Sequence, residues 1–164
     1  MSSAASSVVV VTGASGLLGR AILAHLKESG AHKQVIGTAF SRSGGGLVRV
    51  DLTDEAAVAA FIRETRPAFL VHAAAQRFPD KVDADAEAAR RLNVASTRAI
   101  AGAMNEHGGR VLYISTDYVF DGAAPPYGSG DKPSPVNAYG QLKLEGEGCV
   151  LEASANTIKS IKSI

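Results

Sequence analysis

The chain has a single cysteine, Cys149, in 164 residues. That excludes an internal disulfide and leads us to expect a reducing compartment, with Cys149 a small buried helix residue. Its histidines, His25, His32, His72 and His107, show no metal-ligand spacing and no cysteine cluster joins them, so no metal site is expected. No excess of one charge exists either. Lys and Arg number 17 against 16 Asp and Glu, a balance with no global field for nucleic acid or an anionic membrane, so any anionic ligand must be held by a local device. The apolar run Val8–Val11 is too short for a signal peptide or membrane span, and "MSSAASS" before it has no basic start. Residues 1–7 therefore read as a flexible tail, and the chain as cytoplasmic. Ser115 lacks the flanking glycines of a hydrolase nucleophile elbow.

What is present is a globular composition, 46% hydrophobic and 20% charged, with enough apolar residues for one domain core. "VVVVT" (8–12) predicts a strand, and the segment 16–30 carries Leu17, Leu18, Ile22 and Leu26 at helical spacing before Gly30. Strands are predicted at 34–40, 47–50, 68–75 and 110–116. Helices are predicted at 53–66 with Thr53 as N-cap, at about 84–107, and from Asn137 to Ala153. The alternation implies an α/β fold, a Rossmann-type doubly wound parallel sheet with helices on both faces, because each parallel pair needs a crossover. The Gly- and Pro-dense loop up to Pro135 is long enough to suggest a role of its own.

"TGASGLLG" sets Gly13, Gly16 and Gly19 between the first strand and first helix. There a bare backbone can approach a pyrophosphate and helix N–H dipoles can meet it. Its G-x-x-G-x-x-G spacing departs from the simplest dinucleotide fingerprint, and three glycines also suit a tight packed turn. At the end of the second strand stand Phe40, Ser41 and Arg42, with no acid to accept from a ribose 2′-OH; NADP(H) is therefore preferred over NAD(H). Asp51 and Leu52, after the third strand, are placed to meet the adenine, although Asp before a helix is also an ordinary turn former.

Tyr139 and Lys143 in "YGQLK" are one helical turn apart, following Thr116 at the carboxyl edge of the sheet. A tyrosine titrates near 10 when unperturbed, so acid–base work at neutral pH calls for a neighbouring cation. In that scheme Tyr139 donates a proton to a carbonyl oxygen, Lys143 tunes it and holds a ribose, and Thr116 orients the carbonyl. Asp117 and Asp121 suit either contacts to a sugar or loop caps.

The phosphate loop, "HAAA", "LNV", "STDYVFDG" and "NAYGQLKLEGE" occur together and in order over residues 8–153. Jointly they resemble the extended short-chain dehydrogenase/reductases, in the branch of dTDP-4-dehydrorhamnose reductase and the regulatory beta subunit of methionine adenosyltransferase. "RFPD" and "DGAAPPY" look more like the regulatory subunit. The resemblance implies an NADP(H) site at Gly13, Ser15, Gly16, Leu17, Leu18, Gly19, Arg42, Asp51, Leu52, Ala73, Ala74, Ala75, Asn93, Tyr139 and Lys143. It implies Thr116, Tyr139 and Lys143 as the catalytic set. It also implies a methionine adenosyltransferase catalytic subunit as partner, with modulation of S-adenosylmethionine synthesis, or else a dTDP-4-keto-6-deoxy sugar as substrate of an NADPH-dependent reductase. An inactive nucleotide-binding fragment is the third reading. Residues 154–164, "ANTIKSIKSI" at their close, do not resemble the family's next strand and are expected to be an atypical tail. The family's last strands and C-terminal substrate region are then missing, and turnover with them.

Overall fold

The computed structural model describes residues 7–41, 44–153 and 158–161. Strand β1 (Val8–Thr12) is buried along all but its first residue, as a β-branched run covered on both faces should be. It pairs in parallel with β2 (Gln34–Ala39) on one side and β4 (Phe69–His72) on the other, so that Val10 lies between Ile36 and Leu70. With β3 (Val48–Arg49), β5 (Arg110–Ile114) and β6 (Ile158–Ile161) the sheet runs β3-β2-β1-β4-β5-β6. All its pairings are parallel. The chain turns outward from β1 to β2 and β3, then crosses back to β4. The crevice between the carboxyl ends of β1 and β4 is thus the topological switch point, where open α/β sheets take ligands.

Helices cover both faces. Leu23 of α1 (Leu17–Glu28) packs with Val11 and Val71 on one face. On the other, Val10, Leu70 and Tyr113 meet Ile62 of α2 (Glu55–Thr65), Ile100 and Met104 of α5 (Ser96–Asn105), and Val150 of α6 (Ala138–Ala153). Each such buried aliphatic side chain contributes about 1.5–3 kcal/mol by leaving water.

Three sequence expectations are corrected. Asp54, not Thr53, caps α2: its carboxylate accepts from Ala57 N at 3.0 Å. Thr53 is instead engaged by Asp51, to which its hydroxyl donates at 2.7 Å. The long helix expected at 84–107 is α3 (Pro79–Ala84), α4 (Ala86–Arg90), a π-helical turn (Arg91–Ala95) and α5. Asp85 separates α3 from α4, its side chain capping Ala88 N at 2.9 Å. Finally, the segment expected to be an atypical tail contributes a strand: β6 pairs in parallel with β5, Leu112 beside Ile158 and Ile114 beside Ile161. The tail residues 1–6 lie outside the described residues.

Candidate functional site

Gly13 leaves β1 with a φ of +66°, a conformation that costs an L side chain strain. A Cβ there would also come within 2.7 Å of Ala74 N. The turn closes when Gly16 N donates to Gly13 O at 2.9 Å, and α1 begins at once, with Gly16 at its N-cap and no side-chain cap. A Cβ on Gly19 would overlap Gly13 O, so helix and turn touch backbone to backbone. The amides of Leu17, Leu18 and Gly19 have no intrahelical acceptor. Ser15 is half-buried beside them, and Leu17 and Leu18 are exposed. This cradle, free of side chains and rimmed by N–H groups at a helix start, fits a pyrophosphate.

Opposite it, Ala73, Ala74 and Ala75 are half-buried in the loop after β4. Asn93 belongs to this site by a route the sequence does not reveal. It is 1% exposed, and its side chain clasps the loop backbone, accepting from Gln76 N at 2.8 Å and donating to Gln76 O at 3.0 Å. Its amide thus shapes the loop. It sits in the π-helical turn, a distortion often found at functional sites.

At the end of β2, Phe40 is exposed and the Arg49 guanidinium lies 5.2 Å from its ring centroid. Arg49 is a cation that sequence reading missed; the register Ala39 beside Arg49 is what brings it there. Arg42 lies outside the described residues. Asp51 is charged and engaged: bonds from the Thr53 hydroxyl and amide hold its carboxyl below the usual range. Leu52 is buried in the core, so its side chain is not offered to a ligand.

Tyr139 and Lys143 share a face of α6, whose first turn is capped by Asn137 accepting from Gly140 N at 2.7 Å. A Cβ on Gly140 would overlap Tyr118 O, so the helix lies hard against the 3-10 turn Asp117–Val119. Thr116 caps that turn, accepting from Tyr118 N at 3.3 Å and donating to Asp117 at 3.1 Å. Burial raises the Tyr139 phenol above its ordinary value, while a hydrogen bond with Thr116 and the Arg77 charge pull it back. The Arg77 charge, from the loop after β4, thus favours the phenolate. Lys143 is 3% exposed. Its amine donates to Ile114 O at 2.6 Å and lies 3.9 Å from the Tyr113 ring centroid. Burial depresses it to about 7, opposed by Glu147. Glu147, one turn further, accepts from Ser115 at 2.5 Å.

The loop after β5 lines an open cavity of about 390 Å³, walled by Tyr118, Phe120, Pro125, Pro126, Tyr127 and Val136, and Tyr118 meets Tyr139 edge-on at 5.9 Å. Phe120 stacks on Tyr127 at 4.2 Å, and Tyr127 donates to Asp121 at 2.7 Å. Asp121 is therefore a loop clasp, also accepting from Ala123 N at 2.9 Å. Among the described residues no group of His, Cys, Asp and Glu is placed to hold a metal, and no helix is long and apolar enough to cross a membrane.

The model of the RmlD substrate binding domain matches residues 7–159. The chain belongs to this family. Among its relatives, the rat (Rattus norvegicus) methionine adenosyltransferase 2 subunit beta is 44% identical over 144 residues, 88% of this chain and 42% of that protein. A dTDP-4-dehydrorhamnose reductase of Salmonella typhimurium is 44% identical over 98 residues, 59% of this chain and 33% of the reductase. The RmlD-family fold is also that of the Bacillus anthracis dTDP-4-dehydrorhamnose reductase solved in complex with NADP. The TM-score to it is 0.84 at 30% identity, covering 98% of this chain and 54% of that one. This RmlD-family chain thus spans less than half the length of the curated relatives it matches.

Proposed function

We propose that this chain binds a nicotinamide dinucleotide, NADP(H) in preference to NAD(H), and acts as a regulatory partner of the methionine adenosyltransferase catalytic subunit, modulating S-adenosylmethionine synthesis. The pyrophosphate lies on Gly13, Ser15, Gly16 and the amides of Leu17, Leu18 and Gly19, with Ala73, Ala74 and Ala75 as the opposing wall. Arg49 meets the 2′-phosphate, a preference supported by the absence of an acid at Phe40 and Ser41. Kinship with the methionine adenosyltransferase 2 beta subunits supports the partner.

One observation favours binding over turnover. The Lys143 amine donates to Ile114 O at 2.6 Å, and burial raises the Tyr139 phenol. The side-chain-free cradle at the start of α1 supports the binding reading.

The second reading is an NADPH-dependent reductase of a dTDP-4-keto-6-deoxy sugar. It is favoured by the edge-on contact of Tyr139 with Tyr118, which walls the aromatic cavity, and by the Thr116 hydroxyl that favours the phenolate. There Tyr139 would hand its proton to the substrate oxygen as bound NADPH supplies hydride. A pull-down with the catalytic adenosyltransferase, with and without NADP, tests the first reading. Association that changes the catalytic subunit's kinetics is expected, and no association in either condition overturns it. Sustained, substrate-dependent NADPH oxidation abolished by Tyr139→Phe would establish the second. Cofactor binding with neither result leaves the chain an inactive nucleotide-binding unit.

A further inference from the structure

The last residue of β4 carries a buried imidazole that the proposed function does not use. His72 is 1% exposed, and both ring nitrogens have partners: Thr12 Oγ1 at 2.7 Å from Nδ1, Thr97 Oγ1 at 3.0 Å from Nε2. Thr97 donates its one hydroxyl proton to Asn93 O at 2.9 Å, so toward His72 it can only accept. Nε2 therefore carries the ring proton, Nδ1 is bare, and Thr12 donates to it. A ring with one proton is neutral, and burial agrees, pushing the His72 imidazole down to about 3 with the Lys143 charge acting in the same direction.

From these two nitrogens, bonds run to both ends of the loop that follows. On the Nδ1 side, Ala74 N donates to Thr12 Oγ1 at 3.4 Å. On the Nε2 side, Thr97 holds the backbone of Asn93, whose side chain clasps Gln76 at 2.8 and 3.0 Å. The same loop is the surface on which the glycine turn rests, since any Cβ at Gly13 would strike Ala74 N and Cα. Thr12, immediately before Gly13, belongs to both structures.

We propose that His72, as its Nε2–H tautomer, is a positioning residue of the dinucleotide site. Bridging Thr12 to Thr97, it sets the spacing between the glycine turn and the Ala73–Gln76 loop across the switch point. The proposal rests on the dinucleotide reading given above and deepens it. An apolar side chain in its place would leave two buried hydroxyls with one partner fewer each, loosening both ends of the loop.

The test combines three readouts on the whole chain. A long-range proton–nitrogen correlation of the ¹⁵N-labelled imidazoles should show His72 as Nε2–H at neutral pH; the other tautomer or a charged ring would overturn the proposal. His72→Phe should lose hydrogen-exchange protection at Ala74 and Gln76 and weaken NADPH binding on the order of tenfold. His72→Gln, with one acceptor and one donor, should recover part of both. A Phe variant that keeps its protection and affinity overturns the proposal. Should His72→Phe fail to fold, Thr97→Val cuts the Nε2 arm alone and should expose Gln76 more than Ala74; equal or no exposure would count against the bridge. If the wild-type chain binds neither NADPH nor NADH, the dinucleotide reading falls, while the tautomer and exchange results still decide the role of His72.

Discussion

The amine of Lys143 donates to the carbonyl oxygen of Ile114 at 2.6 Å, pinning α6 to the carboxyl end of β5. This bond makes Lys143 a strut between helix and sheet, one turn beyond Tyr139.

A lysine held near neutrality by burial should give stability a particular pH dependence. Its folded value, about 7, lies below the unfolded one, so above about pH 7 the unfolded chain binds more protons. Stability should therefore rise with pH from about 7 to 8, a window below the ordinary midpoints of the cysteine and tyrosines. Lys143→Met should flatten that rise in denaturant titrations. Glu147→Gln, removing the charge that supports the ammonium, should start the rise at lower pH.

Tyr139 should titrate above an ordinary tyrosine. The difference in tyrosinate absorbance between the chain and Tyr139→Phe isolates it from the other tyrosines. Arg77→Ala and Thr116→Val should each move the midpoint further up, because both groups favour the phenolate. A midpoint below the ordinary value would restore the poised proton donor that the Tyr–Lys spacing suggests.

Gly13→Ala should cost about 3 kcal/mol, from the left-handed backbone and from overlap with Ala74. Urea unfolding checks the loss, and dinucleotide binding should disappear with it.

Asn137→Ala removes the cap that receives Gly140 N and should cost about 1 kcal/mol. Because Asn137 also lines the aromatic cavity beside Tyr139, the same variant should loosen the start of α6, seen as faster exchange of the Gly140 amide.

The elements legible in the sequence are those whose side-chain pattern has one structural solution. The valine run could only be a covered strand, and Ile22 and Leu26 of α1 lie on its packed face, whereas Leu17 and Leu18 of the same expected stripe are exposed. Gly13 and Gly19 announced their cradle because no side chain fits where they stand. The π-helical turn at Arg91–Ala95 was not legible, since an alanine-rich pattern reads the same for α and π winding. Thr53 and Asp54 are both capping residues, and only the partner of Thr53, Asp51, decides between them. The spacing of Tyr139 and Lys143 placed both on one face, but which carbonyl the amine meets depends on β5, distant in sequence. Arg49 and Arg77 enter through sheet register and a loop, neither of which carries a short-range signal.

The central claim, that the switch-point crevice is a dinucleotide site preferring the phosphorylated cofactor, is tested most directly by calorimetric titration of the chain with NADPH and with NADH. Saturable one-to-one binding, tighter for NADPH, lost in Gly13→Ala and narrowed toward NADH in Arg49→Ala, is the result expected. Absence of heat with both cofactors, or binding that Gly13→Ala leaves unchanged, would contradict it.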